Sequence, residues 1–102
     1  MTIIPDYDSY DALGLAELVR NGEVSANELL DEAIARVEAT NPVINAFTVR
    51  FYDRAREAIA AGLPKGPLSG VPFPLKDLGA ALKGTPLTNG SRLFEHYVCD
   101  TT

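Results

Sequence analysis

The residue with the clearest chemical potential in this sequence is Lys76, near the end of the segment 70–77, which reads Gly-Val-Pro-Phe-Pro-Leu-Lys-Asp. Glycines and prolines in and before this segment fix turns rather than extend helices. Between them, Val71, Phe73 and Leu75 alternate with a period of two, which predicts a short strand with one apolar face. Placing an ionisable group where a strand meets a turn is a common way to present a catalytic side chain.

The residues alone leave two roles open for Lys76. A catalytic base must be neutral, and an amine with a pKa of about 10.4 is neutral in only about one molecule in 2,500 near pH 7. A shift of about three units requires about 4 kcal/mol of differential environment, from burial or a nearby cation. The alternative is a surface lysine paired with a carboxylate. Asp77 would oppose the shift if it faced the amine, but adjacent side chains of an extended segment point to opposite faces.

Further motifs narrow this choice. Residues 83–86 read Lys-Gly-Thr-Pro, residues 88–91 read Thr-Asn-Gly-Ser, and upstream residues 41–47 read Asn-Pro-Val-Ile-Asn-Ala-Phe. Together with 70–77, residues 83–86 and 88–91 resemble, in this order and spacing, the first conserved block of the amidase signature family. Residues 41–47 are similar to the start of that family. In that family the lysine that matches Lys76 is the base of a Ser–cis-Ser–Lys triad that hydrolyses amide bonds. The resemblance therefore implies that Lys76 is catalytic.

The sequence departs from the family in one respect. The catalytic serines and oxyanion-hole glycines of the family lie in a Gly/Ser-rich block downstream of the lysine, and this sequence ends at Thr102 before such a block. None of its serines stands in a Gly-Gly-Ser-Ser-Gly-Gly context: Ser9, Ser25, Ser69, Ser91. The expectation is that residues 1–102 form the N-terminal portion of a single, truncated amidase domain. With only the lysine of the triad, it is expected to be inactive alone.

The resemblance also implies the partners of the chain. The substrate of the full-length enzyme would be a small-molecule amide, no metal or organic cofactor is implied, and the remainder of the amidase domain would be the partner of this segment. Two alternatives stay open: the A-type subunit of a tRNA-dependent amidotransferase, which shares the block, and a non-catalytic helical interaction module. The residues that shape the acyl pocket are expected outside this segment, so the amide is not specified.

Composition restricts the partners and the compartment. Nine basic and fourteen acidic residues give a net charge of −5, which argues against nucleic acid or an anionic membrane as a partner. Cys99 is the only cysteine, so no internal disulfide forms and a reducing compartment fits best. Residues 1–10 lack the pattern of a signal peptide, and the expected location is the cytoplasm. His96 with Cys99 provides too few ligands at defined spacing to predict a metal site.

Three helices are expected. The first spans residues 9–21, with Asp8 or Ser9 as its N-cap and Gly22 just after its end. The second begins with a capping box formed by Ser25 and Glu28. It is expected to end near Thr40, because the proline at position 42 biases the preceding residue away from helical geometry. Its acidic residues are expected on a solvated face: Asp31, Glu32, Glu38. The third spans 52–61.

Strands complete the expected architecture. Alternation over residues 46–51 predicts a short half-buried strand before the third helix, and a second strand is expected over 71–75. Residues 1–8 are expected to be a leader without fixed structure. The order helix, helix, strand, helix, strand predicts an α/β class. With the resemblance, this corresponds to N-terminal helices plus the first strands of a mixed-sheet α/β/α amidase fold, incomplete within this chain.

Overall fold

The computed structural model describes residues 4–102 of the chain. Within them lie three α-helices: α1 (Ala12–Arg20), α2 (Ala26–Ile44), α3 (Tyr52–Ala61). Two short 3₁₀ turns cover Tyr7–Ser9 and Arg92–Phe94. The chain divides into two compact units, of which the first ends at Pro72 and the second comprises Phe73–Thr102. All three α-helices belong to the first unit. None of the helices in the described part of the chain has the length and apolarity needed to cross a membrane.

Helix α1 begins later than its sequence predicts. Its N-cap is Asp11, whose carboxylate accepts the backbone N–H of Gly14 at 2.7 Å. The predicted caps at positions 8 and 9 are wrong because those residues are part of the preceding 3₁₀ turn. The predicted end is confirmed, since Gly22 follows the helix with a φ of +73°, a conformation that glycine adopts without strain.

The capping box of α2 forms as predicted. The Ser25 hydroxyl accepts the backbone N–H of Glu28 at 3.1 Å, and the Glu28 carboxylate accepts the backbone N–H of Ser25 at 2.9 Å. These bonds satisfy donors that the first turn of a helix leaves unpaired, and a cap of this kind contributes about 1 kcal/mol. The start of α2 is thus determined locally by its own sequence.

The far end of α2 contradicts the sequence expectation. The helix does not stop near Thr40 but continues through Pro42 to Ile44. Pro42 lies in the last turn, where the loss of its N–H removes a single helical bond. The backbone N–H of Asn45 then donates to the carbonyl of Asn41 at 2.6 Å, and Asn45 closes the helix in a left-handed conformation with a φ of 52°. This bond helps to offset the local bias of the proline.

The core of the first unit lies between α1 and the start of α2. Its buried members are Ile4, Leu15 and Leu29. Partly buried side chains pack around them: Tyr7, Tyr10, Leu18, Val19, Val24, Val71. The expected leader is therefore wrong for residues 4–8, because an apolar side chain of this segment is buried against both helices; its first three residues lie outside the described part.

The expectation that Glu32 lies on a solvated face is also wrong. Its side chain is only 1% exposed, and its carboxylate accepts the backbone N–H of Ile4 at 2.7 Å and the Nε–H of Arg36 at 3.0 Å. A buried carboxylate is retained only when its oxygens are hydrogen-bonded or paired with a cation. Helical periodicity does not reveal these partners, one of which is a backbone group 28 residues away.

The predicted strands are not present in the described residues. Residues 46–51 and 71–75 form neither helix nor strand, and the β-pairing found within residues 4–102 is an isolated bridge between Pro86 and Val98. Alternating apolar residues make a strand only when a neighbouring strand accepts and donates the backbone hydrogen bonds. The predicted α/β class is therefore wrong in its strands, and the described fold is helical.

The second unit is held together by backbone hydrogen bonds between two of its loops. The N–H of Gly84 donates to the carbonyl of Cys99 at 2.8 Å, and the N–H of Cys99 donates to the carbonyl of Thr85 at 2.9 Å. Thr85 and Cys99 are buried, with exposed fractions of 8% and 4%. These contacts connect the Lys-Gly-Thr-Pro motif to the last residues of the unit.

Candidate active site

Lys76 lies in the second unit, where an irregular segment meets the turn formed by residues 77–79. Its side chain is exposed. The apolar neighbours along the chain are exposed as well, Phe73 by 79% and Leu75 by 42%. Among the ion pairs of residues 4–102, none involves the Lys76 ammonium. The structure therefore leaves the amine exposed, in a segment whose apolar side chains are exposed as well.

The carboxylate of the next residue, Asp77, is turned to a different partner. The backbone N–H of Thr88 donates to Oδ1 of Asp77 at 2.6 Å, and the Thr88 hydroxyl donates to Oδ2. The pKa of Asp77 is held below its ordinary value, first by the bond from the Thr88 hydroxyl and then by the backbone N–H groups of Thr88 and Asn89. Such bonds stabilise the ionised carboxylate.

A second contact closes the same loop. Oδ1 of Asn89 accepts the backbone N–H of Gly79 at 3.1 Å, and Asn89 itself has a φ of 51°. Asparagine tolerates this left-handed conformation better than most residues. We call the contacts of Asp77 with Thr88 and of Gly79 with Asn89 the 77–89 clasp. The clasp joins the end of the Leu-Lys-Asp segment to the Thr-Asn-Gly-Ser motif.

The sequence prediction named Lys76 and missed the clasp. The available signal was the pair of polar motifs on either side of a loop, because Asp, Asn and Thr side chains commonly bond to backbone groups in turns. The pairing spans 11 residues, and spacing alone does not identify which polar residue bonds to which.

Two of the serines make structural hydrogen bonds in the described residues. The Ser91 hydroxyl accepts the backbone N–H of Leu93 at 3.2 Å, at the start of a 3₁₀ turn, and Ser25 caps α2. Within residues 4–102, no serine hydroxyl is hydrogen-bonded to Lys76. In the described residues the Lys76 amine therefore has no serine hydroxyl as a hydrogen-bonding partner.

The residues considered for a metal site do not come together. His96 has a 93% exposed side chain and contacts Glu95 at 3.5 Å, whereas Cys99 is buried and unbridged. In the part of the chain that the structure describes, no group of three or more His, Cys, Asp or Glu side chains is placed to hold a metal ion.

Large apolar side chains of the second unit are mostly exposed. They include residues on both sides of the clasp: Phe73, Leu75, Leu78, Leu93, Phe94, Tyr97, Val98. Scattered exposed apolar residues are ordinary, but so many within a unit of this size are typical of a surface that packs against more protein.

Comparison with known proteins finds a matching family and several relatives. The family described as Amidase matches residues 28–101. The 6-aminohexanoate-cyclic-dimer hydrolases of Pseudomonas sp. strain NK87 and Paenarthrobacter ureafaciens are each 47% identical over 74 residues, which covers 72% of this chain and 15% of each relative. The A-type subunit of the glutamyl-tRNA(Gln) amidotransferase of Synechococcus sp. strain CC9605 is 40% identical over 87 residues, covering 78% of this chain and 18% of that protein.

A solved structure agrees with these relatives. The structure of 6-aminohexanoate cyclic dimer hydrolase superposes with a TM-score of 0.70 and 44% identity, covering 78% of this chain and 16% of the other. The chain therefore spans less than a fifth of the length of these relatives. The similarity predicted from the sequence motifs is confirmed, and the likeness in fold extends over part of the chain.

Proposed function

Because this chain belongs to the amidase family, we propose that it is the N-terminal fragment of an amidase that hydrolyses carboxylic amide bonds, with Lys76 as the base of a Ser–cis-Ser–Lys triad. The observation that carries the proposal is the family match over residues 28–101, which contains Lys76 and the motifs on both sides of it. The proposed substrate is a small-molecule amide, and the proposed partner is the remainder of the amidase domain.

The proposed reaction is acyl transfer. Neutral Lys76 accepts a proton from the cis-serine, which in turn accepts the proton of the nucleophilic serine. The nucleophile oxygen forms a bond to the amide carbon, and backbone N–H groups stabilise the oxyanion. The C–N bond then breaks, the amine leaves with a proton, and water hydrolyses the acyl-enzyme to the acid. Both serines would come from the remainder of the domain, so the chain alone is proposed to be inactive.

The exposed surroundings of Lys76 support the proposal that this chain supplies the base and the remainder of the domain supplies the serines. A base of this kind must spend much of its time neutral, and burial away from water favours the neutral amine. Phe73 and Leu75 are exposed beside Lys76 and offer an apolar surface for the remainder of the domain. Packing on this surface would remove water from the amine and bring the serines to it in one step.

A hybrid enzyme tests the proposal. Residues 28–101 replace the matching segment of the Paenarthrobacter hydrolase, and hydrolysis of 6-aminohexanoate cyclic dimer is measured. Removing a general base or a triad member lowers the rate by about 10³-fold or more, so Lys76→Ala is expected to reduce kcat by at least that factor. Lys65→Ala is the matched control, since Lys65 is also exposed and also lies within the exchanged residues 28–101.

Two results would contradict the proposal. A Lys76→Ala hybrid with near-normal kcat removes Lys76 from the mechanism. A folded hybrid that does not hydrolyse the dimer, while the parent hydrolase does, shows that this segment does not serve an amidase of this kind.

A second candidate is the A-type subunit of a tRNA-dependent amidotransferase. It is favoured by the 40% identity to the Synechococcus protein, which covers more of this chain than the hydrolases do. The net charge of −5 disfavours direct contact of this segment with tRNA. The same segment grafted into the Synechococcus protein decides between the two: retained amidation there, with loss of hydrolysis in the first hybrid, favours the amidotransferase.

The cytoplasm is the proposed location. The support is the single cysteine, Cys99, which is buried and free in the structure and fits a reducing compartment.

A further inference from the structure

We propose that Asp77 is a positioning residue whose bonds to Thr88 keep its carboxylate away from the Lys76 amine, so that the base is not held protonated by its own neighbour. This inference rests on the proposed role of Lys76 and deepens it. The sequence does not specify where the Asp77 side chain points. In the structure it is bonded to Thr88 of the Thr-Asn-Gly-Ser motif.

Both carboxylate oxygens of Asp77 are occupied. Oδ1 accepts the Thr88 N–H at 2.6 Å and Oδ2 accepts the Thr88 hydroxyl. A carboxylate with charge-assisted bonds to two donors of one residue has a fixed orientation. The Asp77 carboxyl, whose pKa lies below its ordinary value of 3.8, is ionised at neutral pH, so its direction matters for any cation nearby.

That direction has a chemical consequence. An opposite charge within about 4–6 Å of an ionisable group shifts its pKa by about 1–3 units towards the charged form. A lysine that acts as a base needs its pKa shifted towards the neutral form instead. An Asp77 carboxylate free to approach the adjacent amine would therefore oppose catalysis, whereas a carboxylate bound to Thr88 does not.

Thr88 is itself held in place. Its carbonyl accepts the backbone N–H of Ser91 at 2.9 Å, and its hydroxyl oxygen accepts the backbone N–H of Gly90 at 3.2 Å. The bond from Gly79 to Asn89 fixes the other side of the loop. The Thr-Asn-Gly-Ser motif therefore presents a preformed pair of donors to Asp77.

Other charged groups of the second unit do not replace this arrangement. Its remaining carboxylate side chains are Glu95 and Asp100, and within the described residues neither is ion-paired with Lys76. Hydrogen bonds and desolvation account for the pKa of Asp77. The remaining charged or titratable side chains of this unit are the following: Lys83, Arg92, His96, Tyr97, Cys99.

The first experiment tests the clasp without reference to catalysis. The Asp77 carboxyl of the 102-residue chain is titrated by ¹³C NMR in the wild type, Thr88→Val and Thr88→Ser. The carboxyl is expected to titrate below its ordinary value of 3.8 in the wild type and in Thr88→Ser, which keeps the hydroxyl. In Thr88→Val the midpoint is expected to rise. An ordinary midpoint in the wild type, or an unchanged one in Thr88→Val, overturns the clasp.

The second experiment tests the consequence for the base in the hybrid enzyme. The pH profile of kcat/KM rises on its acid side as the base loses its proton. Thr88→Val removes the hydroxyl that holds Oδ2 and leaves the backbone N–H that bonds to Oδ1. The carboxylate is less firmly held and can turn towards the amine, so this acid limb is expected to move to higher pH by about one unit. The shift is expected to vanish in the double variant Asp77→Asn/Thr88→Val, and Thr88→Ser is expected to retain the original profile.

The outcomes separate this inference from the proposed function. An acid limb that does not move in Thr88→Val, or that moves equally in the double variant, overturns the positioning role while Lys76 remains the base. Near-normal kcat in Lys76→Ala overturns the proposed function and the positioning role with it, while the NMR titration still reports whether the clasp exists.

Discussion

The Glu32 carboxylate accepts the backbone N–H of Ile4 at 2.7 Å and thereby ties the N-terminal segment to the middle of α2. Arg36 continues the link, because its Nε–H donates to Glu32 and its terminal nitrogen pairs with Asp8 at 2.7 Å. The guanidinium also lies over the ring of Tyr7, 4.8 Å from its centre. One buried acid therefore organises a polar cluster that holds the segment against the helices.

Replacing Glu32 is expected to destabilise the chain. In Glu32→Ala the buried N–H of Ile4 loses its acceptor and Arg36 loses its buried partner, which costs about 2–3 kcal/mol of unfolding free energy. Urea unfolding followed by circular dichroism at 222 nm measures this. Glu17→Gln on the exposed face of α1 is the control and is expected to change the free energy by less than about 0.5 kcal/mol. Equal stability of Glu32→Ala and wild type would contradict the structural role.

Asn41 is expected to stabilise the loop that follows α2. Its buried side chain accepts the backbone N–H of Phe47 at 2.8 Å and donates to the carbonyl of Phe47 at 3.1 Å, as a partner strand would. Asn41→Ala leaves both groups unpaired and is expected to cost about 2 kcal/mol. Asn27→Ala, at an exposed position of the same helix, is the control. Equal stability of Asn41→Ala and Asn27→Ala would show that the contact with Phe47 does not hold the loop.

What the sequence predicted correctly depends on neighbouring residues. The capping box of Ser25 and Glu28 and the bounds of α3 follow from residues within one turn of each other, and the structure confirms both. The end of α2 was not predictable in this way. The bias of Pro42 is local, but the bonds that overcome it include the side-chain contact of Asn41 with a residue six positions ahead.

The same distinction between features fixed by neighbouring residues and features fixed by distant contacts applies to the strands and the candidate site. Alternation around Phe73 describes a side-chain pattern, and strand formation depends on a partner that the described residues do not contain. Lys76 was identified because its motif resembles a known block, and its catalytic role stays a prediction. The bond between Asp77 and Thr88 was missed because it depends on how the intervening loop turns.

A side chain at Gly70, the first residue of the motif that contains Lys76, is expected to destabilise the fold. Its φ is +90°, and a methyl group at this position would meet Val19 at 3.2 Å. Backbone strain in this region costs about 1–3 kcal/mol, so Gly70→Ala is expected to lower the free energy of unfolding by about that amount. Gly66→Ala is the matched control, because nothing lies within 4 Å of its added methyl. Similar unfolding midpoints for the two variants would contradict the close approach to α1.

The clasp at Asp77 is expected to open in acid. Because the folded-state pKa is lowered by the bonds to Thr88, the stabilisation is fully present above the ordinary value of 3.8 and is lost as the pH falls through the lower folded value. Amide hydrogens of Thr88 and Asn89 are therefore expected to lose their protection from hydrogen exchange below that range, after correction for the intrinsic rate. The Glu28 amide, bonded to the hydroxyl of Ser25, does not depend on Asp77 and serves as the internal control.

In Thr88→Val the acid-dependent step at Asn89 is expected to shift towards the ordinary value, since the hydroxyl that contributes most to the lowered pKa is gone. Protection of Thr88 that persists unchanged to the lowest pH at which α2 remains folded would show that the carboxylate of Asp77 is not its acceptor.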